Sequence, residues 1–187
     1  ADLGCALDDV PNFEGVVFDE PEPPPGQDKI LLPVQAAFVG AMALAGIDVV
    51  SLSNNHVLDW GARGLQETTK HLSAAGVGSF GAGQSIDEAA QLELRDVAGL
   101  RLGLLGFTCE STHPGAWAGA GPGVARLQDD DVESRVASAK ARCDVLLVSV
   151  HWGDEHVAWP SPQQLSMARR LVDADADLVA GHHAHVF

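Results

Sequence analysis

The sequence predicts an α/β protein built on a mixed sheet. Helix-like and strand-like segments alternate from Leu32 onward, which is the signature of layered α/β architecture. Several strand segments, CDVLLVSV (143–150) above all, are nearly continuous apolar runs, as strands covered on both faces are. LELRDV (92–97) and LRLGLLGFT (100–108) flank Ala98-Gly99 as the arms of a hairpin, so the sheet is not purely parallel.

Each element follows from its local chemistry. FDEPEPPPGQDK (18–29) is proline-rich and acidic and reads as a loop or extended lid, because proline removes backbone donors. PVQAAFVGAMALAG (33–46) reads as a helix with Pro33 in its first turn and Gly46 just past its end. IDVVSLS (47–53) is a short β-branched strand. GARGLQETTKHLSAAG (61–76) is an amphipathic helix with Leu65, Thr69 and Leu72 on one face and Gly76 closing it. VGSFGAG (77–83) is strand-like, and SIDEAAQ (85–91) starts a short helix capped by Ser85 with Glu88 in the capping-box position. Residues 109–124 form a glycine- and proline-rich loop. A helix over 129–142 carries aspartates in its first turn and Lys140 and Arg142 at its end, as the helix dipole favours. PQQLSMARRLVDA (162–174) is a further helix, and DLVAG (177–181) the last strand.

Length and composition fit one domain: 187 residues, 46% hydrophobic and 20% charged. A formal net charge of −15 argues against nucleic acid or an anionic membrane surface as a partner. It leaves phosphate chemistry open at a metal centre, where the ion supplies positive charge. Cys5, Cys109 and Cys143 are odd in number and form no CxxC pair, so neither a disulfide framework nor a thiolate zinc site is expected. No apolar run reaches the roughly 20 residues of a membrane span.

Ligands of open α/β folds bind outside the carboxyl ends of strands. Asn54-Asn55-His56 follows the strand at 47–53. His151-Trp152-Gly153-Asp154-Glu155-His156 follows that at 143–150, and His182-His183-Ala184-His185 follows the last. Six of the eight histidines thus sit at three strand exits, which single loop histidines would not do. Imidazole nitrogens with amide and carboxylate oxygens suit a divalent ion such as Mn, Fe or Zn. His183 and His185, two apart, face one side if the segment is extended, and His151 completes the set. Asn55 offers an amide oxygen, and His56 can donate to developing negative charge. Asp59 either orients His56 or caps the helix at 61. Glu155 is a candidate general acid/base or substrate contact. His71 reads as a helix-face residue, His156 as surface, His113 as part of the loop, and the acidic run 129–131 as helix-start chemistry.

LSNNHVLDWGARGLQETTKHLSAAGVGSFGAG, VSVHWGDEH and DLVAGHHAHV, in this order, resemble the CapA family of poly-γ-glutamate capsule proteins. That family is itself similar to the calcineurin-like metallophosphoesterases. The resemblance covers about residues 32–187 and implies a layered α/β/β/α metallophosphoesterase-like sandwich, incomplete here at both ends, in a single domain. By motif it implies metal binding by Asn55, His151, His183 and His185, with His182 an alternative to His183 by a one-residue shift. Asn54, Trp152 and Glu20 stand as substrate-binding candidates, and His56, Asp59 and Glu155 as catalytic ones. The resemblance further implies one or two divalent ions, and a substrate that is an anionic polymer or a small phosphoester or γ-glutamyl compound. Arg63, Arg126 and Arg169 would help offset the charge of such a substrate.

The chain departs from the pattern in two places. The opening Asp-x-His or Gly-Asp strand is missing, so the sequence reads as a piece of a longer protein. The Asn-Leu-Glu segment of the family is expected in degenerate form at VVFDE (16–20), which brings in Asp19 and Glu20. The resemblance implies a metal-dependent hydrolase linked to capsule synthesis, in an extracytoplasmic or membrane-associated setting with a capsule-synthesis complex as partner, while the residues themselves leave a cytoplasmic setting open. The alternative is a non-catalytic assembly or export component keeping a vestigial metal site.

Overall fold

A computed structural model of the chain describes residues 10–19, 30–112, 114–128 and 130–186. It is an α/β structure with several sheets and five helices among the described residues. Strand β1 (Val16–Phe18) pairs in parallel with β2 (Pro33–Gln35), and helix α1 (Ala36–Leu44) follows directly. Strand β3 (Val49–Ser51) leads through α2 (Gly61–Ala74) to its parallel neighbour β4 (Gly78–Phe80). Next come β5 (Ala82–Gly83), α3 (Ile86–Ala89), β6 (Glu93–Val97) and β7 (Leu100–Thr108). Strand β8 (Gly123–Val124) returns to pair with β5. It is followed by α4 (Val132–Lys140), β9 (Val145–His151), α5 (Pro162–Asp173) and β10 (Leu178–His182).

The main sheet has the order β10-β9-β7-β6, parallel except for the β6–β7 hairpin. That hairpin turns through Ala98 and Gly99, both at positive φ, the backbone a two-residue hairpin loop demands. Pro33 does not open a helix as the sequence suggests. It starts an edge strand, where its missing N–H removes no ladder bond, and the helix begins at Ala36 with Gln35 as its cap. Gly46 does close that helix, at φ +89. On α2 the buried face is Gly64, Leu65, Thr68 and Leu72 rather than a row through Thr69. The Thr68 hydroxyl accepts the Val17 N–H at 2.9 Å, which ties the helix to β1. The loop expected at 109–124 is interrupted by a short 3₁₀ turn, Glu110–Thr112, and by β8.

Three apolar clusters organise the packing. One joins β1 and β3 to α1 and α2 through Val17, Val39, Val50, Leu65 and Leu72. A second brings Val49 and Phe80 of the small sheet against Leu102, Leu104 and Leu147 of the main sheet. The third packs β7 and β9 on α4 and α5 through Phe107, Val136, Leu146, Val148 and Leu171. The sheets approach closely at Gly106, where an added Cβ would lie 2.6 Å from the Ser53 Oγ and 2.9 Å from the Gly81 Cα. Backbone cannot yield as a side-chain end can. Gly106→Ala is therefore expected to destabilise the fold by about 1–3 kcal/mol in urea unfolding, whereas a change under about 0.5 kcal/mol would mean the sheets can part freely.

Register sets the position of the site. Thr108, His151 and His182 stand side by side at the ends of β7, β9 and β10. Residues outside the strands extend the ladder: Cys109 donates its N–H to the His151 carbonyl at 2.8 Å, and Trp152 to that of His182 at 3.2 Å.

Candidate functional site

The three strand exits converge. The His151 and His183 rings lie 4.6 Å apart, and those of His183 and His185 6.1 Å apart. Asn55 reaches the same place, its Oδ1 2.9 Å from the His151 Nε2. The convergence of His183 and His185 has a different origin from the one expected, for the segment is not extended. Strand β10 ends at His182, and both residues then take left-handed backbone, φ +93 and +54. Such conformations are costly for side chains other than glycine and persist only where surrounding structure holds them. Here the His156 N–H donates to the Ala184 carbonyl at 2.7 Å and ties this loop to the one after β9.

His151 is fully buried and held by amides on both sides. Asn55 offers an acceptor, so Nε2 carries the hydrogen, and Nδ1 accepts from the Asn12 Nδ2 at 3.2 Å. Asn12 also donates to the Glu14 Oε1 at 2.9 Å. Burial first, then repulsion from His183, His182, His56 and His185, pulls the His151 pKa down to about 2. Burial also lowers His182 and His183, while it raises Glu14.

These shifts fix the sign of the acid response. The unfolded His151 takes up a proton near pH 6.5 and the folded one does not, so its contribution is full above that pH and is lost as pH falls. The loss approaches about 1.4 kcal/mol per pH unit. Glu14 acts in the opposite sense, since its raised pKa favours the fold at acid pH, while the lowered His182 and His183 act with His151. Urea midpoints are expected to fall steadily below pH 6.5; flat midpoints down to pH 5 would contradict a neutral buried His151.

His56 and Asp59 form a pair: the His56 Nδ1–H donates to the Asp59 Oδ2 at 2.8 Å, and the Asp59 side chain is fully buried. The N-cap position of the helix is Trp60, whose side chain makes no capping hydrogen bond. Asp59 therefore orients the imidazole and does not cap α2, which resolves the choice the sequence leaves open. His56 acts electrostatically on Glu14, His151 and His183, which places it beside the cluster.

Two of the candidate contacts are buried. Asn54 is wholly buried, its Oδ1 accepting the His56 and Val57 N–H groups and its Nδ2 donating to the Phe13 carbonyl. It is a strut that locks the loop onto residues 12–13. Trp152 packs into the core on the α5 side, its indole against Gly181, and lines a neighbouring cleft of about 160 Å³ with Val157, Trp159, Gln164 and His182. Glu20 and His113 lie outside the described residues. Arg126 is engaged by Glu110 and stacks over Trp117 at 5.4 Å.

The sequence reading missed Asn12 and Glu14. The Glu14 carboxylate lies 3.5 Å from the His185 Nε2 and 3.8 Å from the His151 Nδ1. With His182, His183 and His185 these residues line an open cleft of about 550 Å³. The signal was present: Asn12-Phe13-Glu14 differs from Asn-Leu-Glu by one apolar residue, four positions before the segment chosen. The 10–13 segment adds itself to β3, Phe13 donating to the Ser51 carbonyl and Ser51 to that of Pro11, both at 2.9 Å, and so delivers Glu14 to the strand ends.

The residues fit a divalent ion. Ligand atoms of Glu155, His183 and His185 all lie within 4.8 Å of one another, and the buried His183 Nδ1 has no hydrogen-bond partner. Neutral imidazoles and carboxylate oxygens are the donors that Mn, Fe and Zn take.

Comparison with known proteins adds an independent line. The model of the bacterial capsule synthesis protein PGA_cap matches residues 9–187. The capsule biosynthesis protein CapA of Bacillus anthracis is 33% identical over 181 residues, covering 94% of this chain and 44% of that protein. The PGA biosynthesis protein CapA of Bacillus subtilis is 30% identical over 176 residues, covering 94% and 46%. A probable polyglutamine synthesis accessory protein of Mycobacterium tuberculosis, Rv0574c, is 35% identical over 148 residues, covering 73% and 39%. The chain spans less than half the length of these curated relatives.

Proposed function

From a chain that belongs to the bacterial capsule synthesis protein PGA_cap family, we propose a metal-dependent hydrolase acting in the synthesis or processing of poly-γ-glutamate capsule. The observation that carries it is the meeting of His151, His183 and His185 from two strand exits, beside the oriented His56–Asp59 pair. The three stacked apolar clusters support an α/β/β/α sandwich of the metallophosphoesterase kind beneath that site.

Among the donors present, Asn55, His151, His183 and His185 would hold one or two divalent ions, with His182 next to them. Bound there, the ion supplies Lewis acidity toward the scissile group and the attacking water. The protein does the rest. Asp59 fixes the tautomer and angle of His56, whose second ring nitrogen serves charge developing on the tetrahedral or departing group. Burial keeps His151 and His183 unprotonated at neutral pH, so their nitrogens do not repel a cation. Anionic groups of a capsule polymer or phosphoester would meet the ion as their counter-charge, since the chain carries 26 acidic against 11 basic residues.

The test is a panel of chromogenic phosphomonoester, phosphodiester and γ-glutamyl anilide substrates, with poly-γ-glutamate itself, assayed with Mn²⁺, Fe²⁺ or Zn²⁺. Metal-dependent turnover of one class, abolished by chelation, is the expected result. The name of the mycobacterial relative, an accessory protein, favours a second reading, polymer handling without hydrolysis. It predicts metal and polymer binding with no turnover of any class, and that outcome would overturn the hydrolase.

A further inference from the structure

We propose that Glu155 is a metal ligand and not an acid/base: with His183, His185 and Glu14 it forms a two-imidazole, two-carboxylate cation site at the cleft rim, distinct from the inner His151–Asn55 pair. The inference rests on the metal-centre reading above and refines which residues carry it.

Geometry comes first. Glu155, His183 and His185 bring one ligand atom each within 4.8 Å of one another. The Glu14 Oε2 is 3.5 Å from the His185 Nε2, which puts a second carboxylate beside that trio, against one of its members. His183 is only 9% exposed, and its enclosed Nδ1 has no hydrogen-bond partner. A buried polar atom is rarely left so unless something unseen takes it up. The inner pair is arranged differently: the His151 Nε2 meets the Asn55 Oδ1 at 2.9 Å and its Nδ1 meets the Asn12 Nδ2 at 3.2 Å.

Charge points the same way. Glu14 is 14% exposed and feels Glu155 as a repelling neighbour, and the groups acting on it are His185, His56, Asn12 and Glu155. No Lys or Arg is among them. Two carboxylates acting on one another beside a group of imidazoles, with no Lys or Arg acting on Glu14, are what a divalent ion resolves. The left-handed backbone at His183 and His185 turns the loop so that both imidazoles meet Glu155, strain that a bound ion would offset. The donor set suits Mn²⁺, Fe²⁺ or Zn²⁺ better than Mg²⁺ or Ca²⁺, which prefer oxygen alone.

The experiment is calorimetric titration of Mn²⁺ and Zn²⁺ into the chelator-stripped chain and three variants, each checked by its thermal midpoint without metal. Glu155→Gln, on an exposed loop, is expected to fold normally and to lose one equivalent or weaken it roughly tenfold or more. Glu14→Gln is expected to act in the same direction. Asp154→Asn removes an equal charge next door without removing a ligand, and is expected to change affinity less than threefold. Binding by Glu155→Gln at wild-type stoichiometry and affinity would overturn the proposal while leaving a metal centre on His151 and Asn55. Equal weakening by Asp154→Asn would overturn it too, by showing a field effect and no ligation. No binding by the wild type would instead remove the metal-centre reading itself, and this proposal with it.

Discussion

Replacing His151 with alanine is expected to lower the stability of the fold by about 2–4 kcal/mol, read as a shift of the urea midpoint at neutral pH. Two terms add. The imidazole is fully buried, and its removal leaves a cavity between the sheets that close packing fills poorly. It also removes two hydrogen bonds, to the Asn55 Oδ1 at 2.9 Å and from the Asn12 Nδ2 at 3.2 Å, each worth about 0.5–1.5 kcal/mol. His151→Gln, which keeps a donor and an acceptor, is expected to recover part of the loss. A His151→Ala protein as stable as the wild type would show that the inner imidazole is not part of the supporting structure.

His56→Ala is expected to reduce turnover of the cleaved substrate by about 10²–10³ while metal affinity stays within threefold. The reason is the division of labour at the cleft. His56 is braced by the buried Asp59 carboxylate, as a group that must meet changing charge at a fixed angle is braced, and it stands outside the Glu155–His183–His185 cluster. Asp59→Asn keeps the shape and disturbs the tautomer, so a smaller loss of the same kind is expected. Metal affinity falling as far as turnover would make His56 a ligand, and the roles would have to be redrawn.

Much of the fold was legible because its signals are local. Gly46 and Gly76 end helices at positive φ, Ala98-Gly99 turns the hairpin, and the apolar run at 143–150 is the buried β9. Pro33 misled because the same ring suits a helix's first turn and an edge strand's first residue; only pairing with β1 decides. At the site, the histidine clusters were visible as exits of predicted strands. Their convergence was not, because it depends on left-handed turns at His183 and His185 that no period of two or 3.6 encodes. Glu14 escaped for a related reason. Asn12-Phe13-Glu14 gains meaning only when the 10–13 segment lies along β3, a contact between residues some forty positions apart. Asn54 shows the converse, a polar residue beside functional ones whose side chain is consumed in holding the loop.

The most direct test of the account is the metal content of the tag-free chain, stripped with chelator, reloaded with Mn, Fe or Zn, and measured by plasma mass spectrometry beside a His183→Ala/His185→Ala double variant. The account predicts one to two equivalents held through gel filtration by the wild type, and a loss of at least one equivalent in the double variant. Wild-type protein that retains no metal after reloading, or a double variant that retains as much as the wild type, would contradict it.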